Sequence, residues 1–301
     1  MARPLFGKGA KGALIVDLQN GLVREGLALG VDGDFGRRTQ DAVRAYQTSR
    51  GAAQTGVVDT DEWTLLTGKP VPPLFERCLQ VTAAFEGHDY TVAAGNWDDA
   101  WLTWGVIGFT MKFGRVQEIV RAVAASAPQC VQDAFGANAS VLLETMSATN
   151  EEQKEWAQSI SAAGGRTLVE PWQSAFAAFG GFPEVQAAQR ACARERYFNP
   201  ALAAAGSLGL TTELGVALCF DIHVQNGSVA KAVRDALPVL GPADQRARRE
   251  AIANGVADNS KLEFRENVRR RKLAIATGAG TANGVSVVLA NWGLDDVAAV
   301  V

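Results

Sequence analysis

The chain has 301 residues, a formal net charge of −3 and 48% hydrophobic residues, a globular balance that allows one large or two smaller domains. That charge offers no bulk attraction to nucleic acid, and no apolar run approaches the roughly 20 residues of a membrane span. The four cysteines, Cys78, Cys130, Cys192 and Cys219, are scattered without a CxxC pair. Most read as buried thiols, and neither a zinc knot nor a disulfide framework is signalled.

In chain order, Leu14, Val16 and Leu18-Gln19 begin an amphipathic helix that continues through Leu22 and Val23. A turn at Gly30-Val31-Asp32-Gly33 follows. Asp34-Phe35-Gly36 then leads into a second helix, where Thr39, Ala42, Val43 and Tyr46-Gln47 keep the period. After Gly51, the turn Thr55-Gly56-Val57-Val58-Asp59 opens a short third helix with Trp63 and Leu66. The glycines permit positive φ and the aspartates can cap helices, so most of these residues read as folding residues.

The order LQ…G-x-DG-x-FG-x-x-T-x-x-AV-x-x-YQ…TGVVD…W-x-x-L closely resembles the type 1 peptidoglycan-binding domain over nearly all of residues 12–66. The resemblance implies a three-helix domain whose partner is bacterial peptidoglycan, with Arg38 and Tyr46 among the residues that could face it. Lys69-Pro70-Val71-Pro72-Pro73 reads as a short, stiff, extended spacer. It would separate a domain at 1–68 from a second at 74–301.

The second domain opens with Phe75, Cys78, Leu79, Thr82 and Phe85 at helical spacing, and Glu86-Gly87 stops that helix. A hairpin is predicted next: Tyr90-Thr91-Val92, a turn at Gly95-Asn96 with Asp98 and Asp99 in or just after it, then Trp101-Leu102-Thr103-Trp104. A glutamate ending a helix and an aspartate on a following hairpin can face each other across a groove. Glycoside hydrolysis needs such a pair, one carboxylic acid to protonate the leaving oxygen and one carboxylate to activate water or attack the sugar.

The same stretch resembles the catalytic region of the family 46 chitosanases, within the lysozyme superfamily. Gly105-Val106-Ile107-Gly108-Phe109 stands where those enzymes have a Gly-Ile-Ile-Gly-Phe-like segment entering a helix. Counted from it, Glu86 falls on the family's acid, Asp98 on its base and Thr103 on its water-holding threonine. The loop between the two acids is shorter here. On chemistry alone Asp99 equals Asp98; the register favours Asp98. The resemblance implies inversion, with the carboxyl groups roughly 6.5–9.5 Å apart. Trp97, Trp101 and Trp104 are open to two readings, as sugar platforms or as a core stripe at i, i+4, i+7.

Further on, Val116, Ile119, Val120 and Val123 mark an amphipathic helix ending near Ala127-Pro128. Helices are expected at Ala137–Ser147, Glu151–Ala163, Pro171–Ala178 and Phe182–Glu195, and a buried one at Leu208–Gln225. Asp221 interrupts the apolar face of that last helix, so it needs a partner or a cleft. The run Phe220–Gly227 resembles the family's central-helix segment, where an aspartate pairs with arginines that hold the catalytic glutamate. Arg265, Arg269 and Arg270 are the candidate partners. Asp221, Gln225 and Trp101 complete the set as candidate substrate contacts. Gly278–Gly284 reads as a glycine-rich loop, not a phosphate loop, since no GK[ST] follows. The fold class expected is mainly α: a three-helix peptidoglycan-binding domain plus an α+β lysozyme-like domain with a small β-hairpin.

Other wall-cleaving chemistries lack their residues. His88 and His223 are the only histidines, too few for a zinc amidase, and no S-x-G-C run marks a cysteine peptidase. The expectation is a modular cell-wall hydrolase cutting the β-1,4 glycan bond after N-acetylmuramic acid. It needs no metal or cofactor, neither binds nucleic acid nor inserts in a membrane, and works as a monomer. The start MARPLFGKGAKGALIVDLQNG lacks the roughly 7–15-residue apolar core of a signal peptide. Synthesis in the cytoplasm, with release by a holin or a secretion system, is therefore expected. A lytic transglycosylase using Glu86 alone, a chitosanase and a non-catalytic wall-binding protein are the alternatives.

Overall fold

The computed structural model describes residues 2–87, 89–241 and 243–299; His88 lies outside them. The described residues are mainly helical, with three small antiparallel sheets among them. It divides into two compact units, Met1–Phe85 with Tyr197–Val301, and Glu86–Arg196. The cuts fall at the end of the Glu86 helix and at Arg196, not at the proline stretch.

The first unit begins with the three predicted helices, Ala13–Arg24, Arg37–Ser49 and Thr60–Thr67. Two buried glutamines explain the LQ and YQ of the sequence pattern. Gln19 Oε1 accepts from the backbone N–H groups of Asp32 and Gly33 at 3.0 and 2.8 Å, while its Nε2 donates to Asp32 Oδ1 at 2.8 Å. Gln47 repeats the device one turn later, accepting from Gly56 N at 2.9 Å and donating to Thr55 and Val57. Each amide thus closes the glycine turn that follows its helix and satisfies buried backbone groups. Asp59 and Glu62 form a reciprocal cap on the third helix. Tyr46 is buried under Arg50, which removes it from the glycan-facing candidates; Arg38 is exposed.

The sequence gives no sign of the strand Pro4–Phe6, which pairs with Val58–Asp59. The proline stretch after the third helix is fastened on both sides. Trp63 Nε1 donates to Pro70 O at 2.9 Å, Arg77 Nε to Pro72 O at 3.1 Å, and Lys69 pairs with Asp17 at 2.7 Å. Gly7 N donates to Asn291 O at 3.0 Å, joining the chain's beginning to its C-terminal segment. Glu213, 2% exposed, receives both Arg3 and Arg77.

Residues 197–299 add the buried helix Glu213–Asn226, where residues 213–223 are all buried. A helix apolar on every side belongs in a core. Around it lie Asn199–Ser207, Gln245–Asp258 and Arg265–Thr277. The last two occupy the region where the sequence shows chiefly arginines, whose charges hide the buried stripe Ile252, Val256, Val268 and Ile275. The expected glycine-rich loop is a β-hairpin, Ala279–Ala282 against Val285–Val288. Asn283-Gly284, with φ of +52° and +76°, is its turn.

The second unit holds a three-stranded sheet rather than a hairpin: Ala93–Ala94, Thr103–Trp104 and Phe109–Thr110, in that order. Gly105-Val106-Ile107-Gly108 is the turn between the last two strands and does not enter a helix directly; the next helix is Arg115–Ser126. The expected helices appear as Ala139–Ser147, Asn150–Ser159, Trp172–Gly181 and Pro183–Ala193, with an unexpected Pro128–Phe135. Trp104 stacks on Phe179 at 5.4 Å and donates through Nε1 to Phe176 O. Phe135 meets Phe176 edge-on at 5.1 Å. All four cysteines are free and buried, and burial raises every thiol's pKa, that of Cys192 to about 12. Among the described residues no helix is long and apolar enough to cross a membrane.

Candidate active site

Glu86 is the last residue of helix Leu74–Glu86 and is half-buried. Gly87 takes φ of +67°, the left-handed conformation that ends a helix at low cost. Asp89 then turns the chain into the sheet: its Oδ1 accepts from Thr91 N at 2.7 Å, Thr91 Oγ1 at 2.6 Å and Val92 N at 3.1 Å. This is the side-chain-to-backbone turn that a D-x-T sequence favours.

Asp98 is exposed, and one carboxylate oxygen accepts from Ala100 N at 3.2 Å. Asp99 differs. It holds φ of +63° and pairs with Lys112 at 2.5 Å, with Lys154 at 3.9 Å. The hydrogen bond from Lys112 holds its carboxyl below the usual carboxylate range. Thr103 lies on the central strand opposite Ala94 and Thr110 and is half-buried.

The loop bearing Asp98 is fixed from behind. Asn96 N donates to Ser161 Oγ at 2.9 Å, and Asn96 Oδ1 accepts from Trp101 N at 3.1 Å. A Cβ on Gly165 would sit 2.7 Å from the Asn96 carbonyl and Trp97 N, so only glycine allows that approach. Below the sheet, buried Gln189 accepts from Val106 N at 2.9 Å and donates to Tyr90 O at 3.0 Å. Neither Ser161 nor Gln189 carries a sequence signal, since their partners are distant backbone atoms.

The three tryptophans do not share a helix. Trp104 and Trp101 are core residues, Trp101 being 8% exposed with φ of +70°, which removes it from the substrate-contact set. Trp97 is 51% exposed and carries the Arg166 guanidinium 4.7 Å from its ring centre.

In the first unit, Asp221 is 0% exposed. Its partners are Arg271 and Lys272, not Arg265, Arg269 or Arg270. Arg271 donates through Nε and Nη2 at 2.7–3.1 Å, and Lys272 Nζ lies at 2.6 Å. Burial opposes ionisation of Asp221, but the two cations outweigh it and hold the carboxyl at about 2. Arg269 instead pairs with Asp258 and Glu266, and Arg265 donates to Asp258 O. Helical phase decides this: an exposed and a buried face alternate along Arg265–Thr277, and a run of three arginines straddles both. Thr82 Oγ1 donates to Asp221 at 3.2 Å, Arg271 lies 5.4 Å from the Phe85 ring centre, and Asn283 Nδ2 donates to Phe85 O at 3.0 Å. These contacts brace the last turn before Glu86. Gln225 lies one turn beyond Asp221 and lines a cavity of about 420 Å³ with Asn226, Ser228, Asn259, Lys261 and Phe264. Among the described residues no group of three or more His, Cys, Asp or Glu is placed to hold a metal ion.

Comparison with known proteins matches this arrangement to a family. The model of glycosyl hydrolase family 46 matches residues 82–279, well over half of the chain. The chain belongs to glycosyl hydrolase family 46. The peptidoglycan binding domain model matches residues 11–66, the three-helix part. The family 46 chain therefore joins a glycosidase to a peptidoglycan-binding domain.

Two solved structures share its fold. One is a mutant chitosanase from Bacillus subtilis MY002 complexed with six glucosamine units, at 17% identity, covering 71% of this chain and 98% of that one with a TM-score of 0.52. The other is the native chitosanase from the same organism, at 18% identity, covering 70% and 95% with a TM-score of 0.50. At such identity the likeness shows the fold alone. No curated protein matches this family 46 chain.

Proposed function

We propose that this family 46 enzyme is a peptidoglycan hydrolase of the muramidase type. Glu86 protonates the glycosidic oxygen. Asp98, with Thr103, directs water onto the opposite face of the sugar. The observation that carries the substrate is the presence of a peptidoglycan-binding domain and a family 46 domain in one chain. A wall-binding domain raises the local concentration of wall glycan at the catalytic residues without adding catalytic contacts. Asp98 is favoured over Asp99 as the base because Lys112 and Lys154 neutralise Asp99, whereas among the described residues the carboxylate of Asp98 meets only a backbone N–H. The enzyme acts on the wall after release from the cell that makes it, as a monomer.

The deciding experiment is mass spectrometry of muropeptides released from purified sacculi by wild type and by Glu86→Gln. Wild type should release reducing-end products and the variant should not; unchanged release by the variant would remove Glu86 from its role. An Asp98→Ala variant that kept full activity and gave anhydro sugars would make the enzyme a transglycosylase. Chitosanase activity is the second reading, favoured by the family 46 match itself. Rates on chitosan and on sacculi, measured side by side, separate the two.

A further inference from the structure

The loop that carries Asp98 also presents an aromatic face, with a cation from the Gly165 turn lying against it. Trp97 precedes Asp98 directly and leaves 51% of its surface exposed. Its indole therefore presents an aromatic face to solvent. Its position is nonetheless fixed. Gly165 packs against the Asn96–Trp97 backbone and Ser161 holds Asn96 N. Arg166, next to Gly165, spreads its guanidinium 4.7 Å from the Trp97 ring centre.

Arg166 is exposed and, among the described residues, has no carboxylate within ion-pair distance. Two more cations, Lys112 and Lys154, pair with Asp99 on the same loop. An aromatic face suits the apolar side of a pyranose, and a guanidinium stacked on it offers a rigid fork of donors for a carboxylate. Glucosamine polymers carry ammonium groups and would be repelled by this cation, whereas wall glycan carries carboxylates.

We infer that Trp97 and Arg166 form a binding subsite for a carboxylate-bearing sugar beside Asp98, and that this subsite selects acidic wall glycan over glucosamine polymers. The inference rests on the hydrolase reading above for its substrate, but not for its binding chemistry. The carboxylate comes either from the lactyl ether of the sugar or from the attached peptide.

The test uses the full chain in a Glu86→Gln background, so that binding is read without cleavage. The probes are soluble glycan strands freed of peptide, the same strands with their carboxyls methylamidated, peptide-bearing strands, and neutral N-acetylglucosamine oligomers, followed by calorimetry. Adding Arg166→Gln should weaken binding of the peptide-free strands about tenfold and of the amidated strands and neutral oligomers less than twofold. Adding Trp97→Ala should weaken all of them. Loss with peptide-bearing strands alone assigns the peptide carboxylate. Equal loss on acidic and neutral strands, or no loss on any, overturns the inference. Failure of the cleavage reading would instead show as wild-type chain that binds these strands with the same Arg166 dependence but releases no product.

Discussion

At the scale of single residues, the two adjacent aspartates make a sharp comparison. Asp98→Asn should lower kcat on sacculi by at least about 100-fold, as loss of a general base does. Asp99→Asn, which removes a carboxylate already neutralised by Lys112, should cost less than about threefold. Equal losses would mean that the register to Gly108-Phe109 misassigns the base. Asp221 is a different case. Replacing it by Asn removes the buried carboxylate that both Arg271 and Lys272 meet, which costs about 3–5 kcal/mol. The check is chemical denaturation of Asp221→Asn beside Thr82→Val, which loses one buried hydrogen bond and about 1 kcal/mol. Comparable midpoints would show that the ion triad does not carry the helix.

At the scale of elements, close backbone approaches decide how the sheet is seated. Gly180, in helix Trp172–Gly181, faces the Tyr90 carbonyl so closely that a Cβ there would overlap it. Gly180→Ala should therefore displace the strand after Asp89 and destabilise the protein by about 1–3 kcal/mol. Thermal melting measures the loss, and an unchanged melting temperature would place the strand elsewhere. The Asp98 loop and the Arg166 turn are joined in the same way by Gly165. None of these glycines differs in sequence from a flexible one. Their role comes from a neighbour more than 60 positions away in the chain, which local pattern cannot reveal.

At the scale of the whole molecule, acid stability follows from three buried groups. Asp221 is ionised in the fold with its carboxyl at about 2, against an ordinary 3.8. Its stabilisation, about 2 kcal/mol by linkage, is complete above the unfolded value and is lost as pH falls toward 2. Burial disfavours the ionised form of Glu213, but hydrogen bonds from Arg3 and Arg77 outweigh it and hold its carboxyl below 4.5. Its contribution is lost below that pH. Burial also holds His223 below its ordinary 6.5, so protonation costs stability as pH falls below 6.5. All three have one sign, so the melting temperature should drop steadily from pH 7 to pH 3, and a rise would contradict it. A chain starting at Lys69 should also melt lower than the full chain, because Glu213 loses Arg3 and Asn291 loses Gly7. Equal melting temperatures would mean that the peptidoglycan-binding domain is dispensable to the fold.

What was legible in the chain itself was local. The glycine turns and glutamines of residues 12–66, the stop at Glu86-Gly87 and the buried helix around Asp221 follow from spacing, φ preference and the absence of polar residues. The family resemblance rested on those same short-range features. The tertiary structure alone decided which partners meet: Arg271 and Lys272 on Asp221, Lys112 on Asp99, Gln189 across the sheet and Arg166 on Trp97. It also turned an apparent glycine loop into a hairpin and moved Trp101 into the core while leaving Trp97 outside. Side-chain pairing across many residues depends on helical phase and on which backbones come close, and neither is written in any single stretch of sequence.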